Sequence, residues 1–320
     1  MEIRVSSVNA GADICKKENI DVLLAVGGGS VIDCTKFIGA AAFYDGDAWD
    51  ILTQKVTVEK CLPIIDVLTL AATGSEMDCG GVISNPETKD KIGLLFPVMQ
   101  PKVSFLDPTN TYTVSKYQTA CGAADMFNHI LEVYFNRNQD LYMLDTVMEG
   151  LLKTIIKFAP VAMAEPENYE ARANLMWTSS WAINGFVNGG KMQAWSCHPM
   201  EHELSAIYDI THGLGLAILT PRWMEYTLDE TTVSKFYQFG CNVFGIDPKL
   251  DPMDVAKKSI EMVSEFLFHT LELQNSFTEI GIDTSNFEVM ARKAVMLGGL
   301  VYAFKPLNED DVVNIFKMCL

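Results

Sequence analysis

The sequence predicts an α/β domain followed by an all-helical domain. Up to residue 106, short apolar runs of strand length alternate with glycine-rich or small-residue turns and helical stretches, as expected for strands of a parallel sheet. From Ser115 onward apolar residues recur at helical spacing, and no strong strand interrupts them. The boundary falls near Thr109–Val114, which gives domains of residues 1–110 and 111–320. The halves also differ in chemistry: three of the 5 histidines lie between His198 and His212, in the second half.

Taken in order, residues 7–19 read as a helix ending in Lys16-Lys17, cations suited to a C-terminal turn. Asp21–Val26 is a short apolar run, read as a buried parallel strand. Gly27-Gly28-Gly29-Ser30 follows directly, then a helical stretch from Val31 to Tyr44. Strand, glycine turn and helix together aim backbone N–H groups at a phosphate. The run departs from the dinucleotide fingerprint, because Ile32 holds the third glycine position, and a plain tight turn is the other reading. Strand-like runs recur at Ile64–Leu70, Lys91–Phe96 and Lys102–Leu106. Between the first two lies a small-residue loop that includes Thr73-Gly74-Ser75-Glu76. Such a loop lets backbone approach a ligand and adds hydroxyl donors.

The second half should hold helices at 115–136, 140–160, 168–188, 199–208, 212–226, 252–275, 286–298 and 308–319. Ser115 and Gln118 have capping-box spacing, and the helix they open carries Asp125 and His129 at i and i+4, on one face. Pro199 suits a first helical turn, which puts His198 at a helix start and His202 one turn in; His212-Gly213 opens the next helix. One carboxylate and these imidazoles make four N and O ligands plus one spare imidazole. That set suits Zn or non-haem Fe(II), and neither Ca nor an iron–sulfur cluster. Spacing alone does not say which imidazole is spare. Trp177, Trp181 and the methionines sit at helical spacing and read as core.

A hydrophobic content of 49% excludes a disordered chain, and a net charge of −17 argues against nucleic acid or anionic membrane as partner. No apolar run reaches the ~20 residues of a membrane span, and the polar start shows no secretory signal. The 8 cysteines are scattered without a Cys-x-x-Cys pair, which points to a reduced, cytoplasmic protein, with Cys197 a plain buried thiol.

These pieces resemble the iron-containing (group III) alcohol dehydrogenase family, in particular its butanol dehydrogenase and NADPH-dependent aldehyde reductase branch. The matching residues are GGGSVID (27–33), TGSE (73–76), LDP (106–108), AADMFNH (123–129) and HPMEHELSAIYDITHG (198–213), with DAWDIL (47–52) and PENYEARANLMW (166–177) in support. The resemblance covers nearly the whole chain and implies a dehydroquinate synthase-like architecture. It implies that Asp125, His129, His198 and His212 bind one Fe2+ or Zn2+, and that His202 is the odd one out, near the nicotinamide and available for the proton step. It places Gly27, Gly28, Gly29, Ser30, Asp33, Thr69, Thr73 and Ser75 along a dinucleotide, with Lys91 near its nicotinamide end and NADP(H) ahead of NAD(H). The implied substrates are small aliphatic aldehydes and alcohols, bounded by Trp195 and the 184–190 loop, and the implied assembly is a homodimer.

The sequence departs from that family in two places. Matching begins late: about two βα units of ~30 residues each precede the equivalent of residue 1 in the family. The sheet is therefore expected to lack its first strands and to present an open edge and an exposed apolar face. Ala71 stands where the family usually has proline. Two further readings follow: an impaired homologue that binds metal without turning over, and a dehydroquinate synthase-like lyase. The absence of an Arg/Lys cluster for a phosphorylated acid speaks against the lyase.

Overall fold

The structure, a computed structural model, describes residues 3–137, 141–189 and 194–320. Its first part is α/β. Helix α1 (Val5–Glu18) packs on α2 (Gly29–Ala41), and three parallel strands, β1 (Leu23–Gly27), β2 (Ile64–Leu68) and β5 (Val103–Phe105), form a sheet in the order β1-β2-β5. Pairing runs from Leu23↔Ile64 to Gly27↔Leu68, and from Ile65↔Val103 to Val67↔Phe105. Ala25, Ile64 and Leu68 are buried on the face that meets α2.

The other face stands open. The register puts Leu24, Ile65 and Val103 in one row, and Val26, Val67 and Phe105 in the next. Leu24 is 64% exposed, Val26 57% and Phe105 55%. Parallel sheets are ordinarily covered on both sides, so β1 is not the fully buried strand its apolar run suggests. The exposed apolar face expected from the sequence is present.

A separate antiparallel hairpin, β3 (Gly80–Asn85) and β4 (Asp90–Leu95), pairs Gly80↔Leu95 through Asn85↔Asp90. The run expected at Lys91–Phe96 is thus a hairpin arm and not part of the parallel sheet. Its partner was not expected, because Gly80-Gly81 dilutes a short apolar run. β3 packs on α2 and β4 on a helix of the second part, so the hairpin bridges the two.

The second part is helical: α4 (Lys116–Tyr134), α5 (Tyr142–Ala164), α6 (Tyr169–Ile183), α7 (Cys197–Tyr208), α8 (His212–Thr227), α9 (Val233–Phe244), α10 (Pro252–Ser264), α11 (Phe287–Gly298) and α12 (Glu309–Met318), after a short α3 at Trp49–Leu52 in the first part. The start of the helix expected at 140–160 lies outside the described residues. Helix α6 stops at Ile183 and not at 188, because Gly185 takes a φ of +91°. The helix expected through 275 ends at Ser264 and passes into a π-helical turn, Glu265–Thr270. Helix α9 was not expected, although Phe236, Phe239, Gly240 and Val243 make a buried stripe at helical spacing.

Helix α4 is the hub. Every residue from Thr119 to Tyr134 is buried, and α5, α6 and α8 all pack on it. A helix enclosed on all sides must satisfy its polar side chains internally, which makes Asp125, Asn128, His129 and Glu132 conspicuous. Trp177 is 51% exposed and packs edge-on to Trp181 at 5.7 Å, so it does not belong to the core as expected. Cys197 is fully buried, as expected.

Candidate metal and cofactor site

Ser115 caps α4, its hydroxyl accepting from the Gln118 N–H at 3.2 Å. That start sets the phase of the helix and turns Asp125 and His129 to one face. Helix α7 begins at Cys197, with His198 and Pro199 in its first turn, where proline leaves no backbone bond unmade. His212 is the first residue of α8. Gly213 makes that placement feasible: a Cβ there would lie 2.0 Å from the Cys121 carbonyl oxygen of α4.

Three imidazoles converge on one carboxylate oxygen. Asp125 Oδ1 lies 3.5 Å from His129 Nε2, 3.7 Å from His198 Nε2 and 3.6 Å from His212 Nε2. These separations exceed a good hydrogen bond, and among the described residues Asp125 Oδ1 and His198 Nε2 have no hydrogen-bond partner. Donors held ~2.1 Å from a tetrahedral ion stand about 3.4 Å apart. The donor set, its spacing and its orphaned atoms therefore fit a divalent ion.

The surrounding charges agree. Burial alone would raise the Asp125 carboxyl, but the imidazoles beside it outweigh that and hold it well below the usual carboxylate range. Burial pushes His129 down to about 3. Burial would also lower His198, yet the Glu132 and Asp125 carboxylates push it up to about 9.

His202 stands apart from Asp125. Its ring centroid is 5.7 Å from His212 and 6.3 Å from His198, and it lines the cavity beneath the hairpin, where a Cβ on Gly93 would come within 3.9 Å of its ring. Burial, then the charge of Lys91, depresses it well below the ordinary histidine value, which keeps it neutral. Trp195 lies against both His198 and His129, at 4.5 and 5.5 Å between centroids.

All five of these polar residues line one cavity of about 610 Å3 between the α/β and helical parts. Its α/β wall includes Ser30, Asp33, Thr73, Ser75 and Lys91. Gly27, Gly28 and Gly29 form the β1–α2 turn, and α2 begins at Gly29, inside the glycine run and not at Val31. Thr73 packs directly on Gly29, where a Cβ would meet its hydroxyl at 2.0 Å. Thr69 lies at the end of β2, its N–H donating to the Gly27 carbonyl at 3.0 Å, and is not among the residues lining the cavity.

Asp33 is engaged within the chain. It accepts from Ser75 Oγ at 2.5 Å and from the Val82 N–H at 2.9 Å, tying α2 to the small-residue loop and to β3. Of the substrate-side expectations, Trp195 lines the cavity and residues 184–189 do not; Gly190 lies outside the described residues.

Two carboxylates received no role from the sequence. Glu132 lies on α4 one turn beyond His129, and its carboxylate accepts from the backbone N–H groups of Ser196, Cys197 (2.6 Å) and His198 (3.1 Å) and pairs with His198 Nδ1. Glu201 on α7 pairs with His212 Nδ1, accepts from Ser205 Oγ and lies 3.5 Å from Lys91 Nζ. A fully buried glutamate beside a metal-type histidine is the signal that could have marked them, but sequence does not show burial.

Residues 1–108 match the family model "Iron-containing alcohol dehydrogenase", and residues 119–320 match "Fe-containing alcohol dehydrogenase family, C-terminal". The chain belongs to the iron-containing alcohol dehydrogenase family. It is 50% identical over 315 residues to NADH-dependent butanol dehydrogenase A of Clostridium acetobutylicum, covering 98% of this chain and 81% of that one. It is 37% identical to the NADPH-dependent aldehyde reductase YqhD of Escherichia coli, over 88% of this chain and 72% of that one. The crystal structure of NADH-dependent butanol dehydrogenase A from Thermotoga maritima superposes with a TM-score of 0.93 at 37% identity, over 99% of this chain and 80% of that one.

Proposed function

We propose that this iron-containing alcohol dehydrogenase interconverts small aliphatic aldehydes and alcohols, using a nicotinamide dinucleotide and one divalent ion held by Asp125, His129, His198 and His212. One observation carries the reading: three imidazole nitrogens surround a single orphaned carboxylate oxygen at the wall of a cavity whose other wall bears Ser30, Thr73 and Lys91. When bound, Fe2+ or Zn2+ supplies a Lewis acid for the carbonyl oxygen and the nicotinamide supplies the hydride.

The chain's own residues position these groups. Thr73 and Ser30 line the cavity and would meet the dinucleotide, and the N-terminal N–H groups of α2, which the Gly27–Gly29 turn opens, would suit its phosphates. Asp33 and Ser75 hold the loop that carries Thr73, and Thr69 secures the turn through Gly27. The Lys91 ammonium, on the same cavity wall, would lie at the nicotinamide end. The neutral His202 imidazole takes the proton when an alcohol is oxidised and returns it in reduction. Trp195 walls the site with an apolar ring.

On the choice of cofactor the relatives divide: the butanol dehydrogenases at 43–50% identity are named NADH-dependent, and the aldehyde reductase at 37% NADPH-dependent. Their higher identity favours NADH over the NADP(H) expected from sequence. We take residues 1–110 and 111–320 as the two domains, and the chain as a homodimer. Eight unpaired cysteines favour a reducing, cytoplasmic setting, and no described helix is long and apolar enough to cross a membrane.

The test is initial-rate measurement with butanal against NADH and NADPH in parallel. Faster turnover with NADH supports the assignment. Absence of turnover with either, in a chain shown to bind both metal and nucleotide, rejects it.

A further inference from the structure

The two histidines contributed by α7 and α8 share an arrangement that His129 lacks. His198 and His212 each present Nε2 to Asp125 and place Nδ1 against a buried glutamate, Glu132 and Glu201 respectively. Both glutamates are within 2% of full burial. His129 Nδ1 has no hydrogen-bond partner among the described residues. A carboxylate on Nδ1 keeps the N–H there, so the neutral ring that binds an ion carries its lone pair on Nε2. It also fixes the plane of the ring.

Glu132 does more than hold one ring. The residue that precedes α7, Ser196, gives it no side-chain cap, and the N–H groups at the helix start are taken instead by Glu132, from a different helix. The side chain that orients His198 thus also fixes the helix end that carries it. Glu201 shares its carboxylate among His212, Ser205 and Lys91.

We propose that Glu132 and Glu201 are positioning residues of the metal centre, outside its ligand set, that hold His198 and His212 as Nδ1–H tautomers aimed at the ion. The proposal rests on the metal-centre reading above. One alternative has a geometric basis: donor atoms of Glu201, His202 and His212 all lie within 4.8 Å of one another, close enough for Glu201 to be a ligand of a second ion.

The experiment is a chelator-competition titration of Zn2+ on the full chain, with ion stoichiometry, for the wild type, Glu132→Gln and Glu201→Gln. The amide preserves shape but loses the charge that favours the Nδ1–H form. Each variant should still bind one ion per chain, with affinity weakened about 10- to 100-fold. The melting temperature of the ion-free protein separates this from a loss of fold, and shifted visible bands of the Co2+-loaded variants report the disturbed rings directly. Glu201→Gln tests the idea independently should Glu132→Gln, which also weakens a helix cap, fail to fold. Unchanged affinity in a folded variant overturns the proposal and leaves the metal centre standing. Two ions on the wild type and one on Glu201→Gln overturn it by making Glu201 a ligand. No bound ion on the wild type removes the metal-centre reading as well.

Discussion

Lys91 Nζ of the β-hairpin lies 3.5 Å from Glu201 Oε2, the same carboxylate oxygen that pairs with His212 Nδ1. A single lysine therefore touches both the cavity wall assigned to the cofactor and the support of the ion site. Burial alone would raise the Glu201 carboxyl, and His212 and Lys91 together keep it below its ordinary value. Replacing Lys91 by methionine should keep the fold and one ion per chain while weakening NADH binding about tenfold, or about 1.4 kcal/mol. Fluorescence titration with NADH, beside metal analysis, checks both halves of that statement.

Gly213 is where α8 meets the backbone of α4. A methyl group there would lie 2.0 Å from the Cys121 carbonyl oxygen, a backbone atom that no rotamer change can move. Gly213→Ala should force α8 outward and carry His212 with it. The expected cost is about 1–3 kcal/mol of stability, with a larger loss of metal affinity than of fold. Denaturant unfolding with and without Zn2+ separates the two effects.

Glu76 gives a pH signature. Its buried carboxylate accepts from Ser180 Oγ of α6 at 2.5 Å, and burial raises it from 4.5 to about 7. The folded state therefore holds a proton that the unfolded state releases between those values. Its contribution is complete below about pH 4.5 and is lost as pH rises through about 7. Glu76→Gln removes that dependence, so the variant should gain on the wild type from pH 5 to pH 8, by about 1–3 kcal/mol. A constant difference across that range would show that Glu76 is not the titrating group.

His202 lines the cavity and does not approach Asp125, so His202→Ala should keep one ion per chain. Its effect should fall on turnover, about 100-fold for a lost proton-transfer group, with little change in metal affinity. Parallel kcat and metal measurements distinguish it from His198→Ala, which should lose both.

The elements that position the site follow from local signals. The Ser115 cap, the proline in the first turn of α7 and the His212-Gly213 start of α8 are all readable along the chain. Reading fails where the cause is non-local. Glu132 and Glu201 gain their roles from rings 66 and 11 residues away, and His202 could be set apart from the other imidazoles only by resemblance. Strand β3 hid behind Gly80-Gly81, a pair that weakens a strand by propensity and is sustained here by pairing with β4. Trp177 shows the reverse: helical spacing suggested core, but its face of α6 meets solvent. The alternation of Leu24 and Val26 with buried Ala25 likewise belongs to tertiary structure, since an apolar strand looks alike whether one face or both are covered.

Metal depletion and reconstitution decide whether a divalent ion on Asp125, His129, His198 and His212 makes the cavity an aldehyde reductase site. The chain is stripped with chelator, resupplied anaerobically with Fe2+ or Zn2+, and assayed with butanal and NADH beside Asp125→Asn. Turnover should vanish without metal, return at one ion per chain, and fall at least ~1000-fold in Asp125→Asn, since a Lewis acid is worth several kcal/mol. Full turnover by the stripped chain, or an unimpaired Asp125→Asn, would contradict that role of the ion.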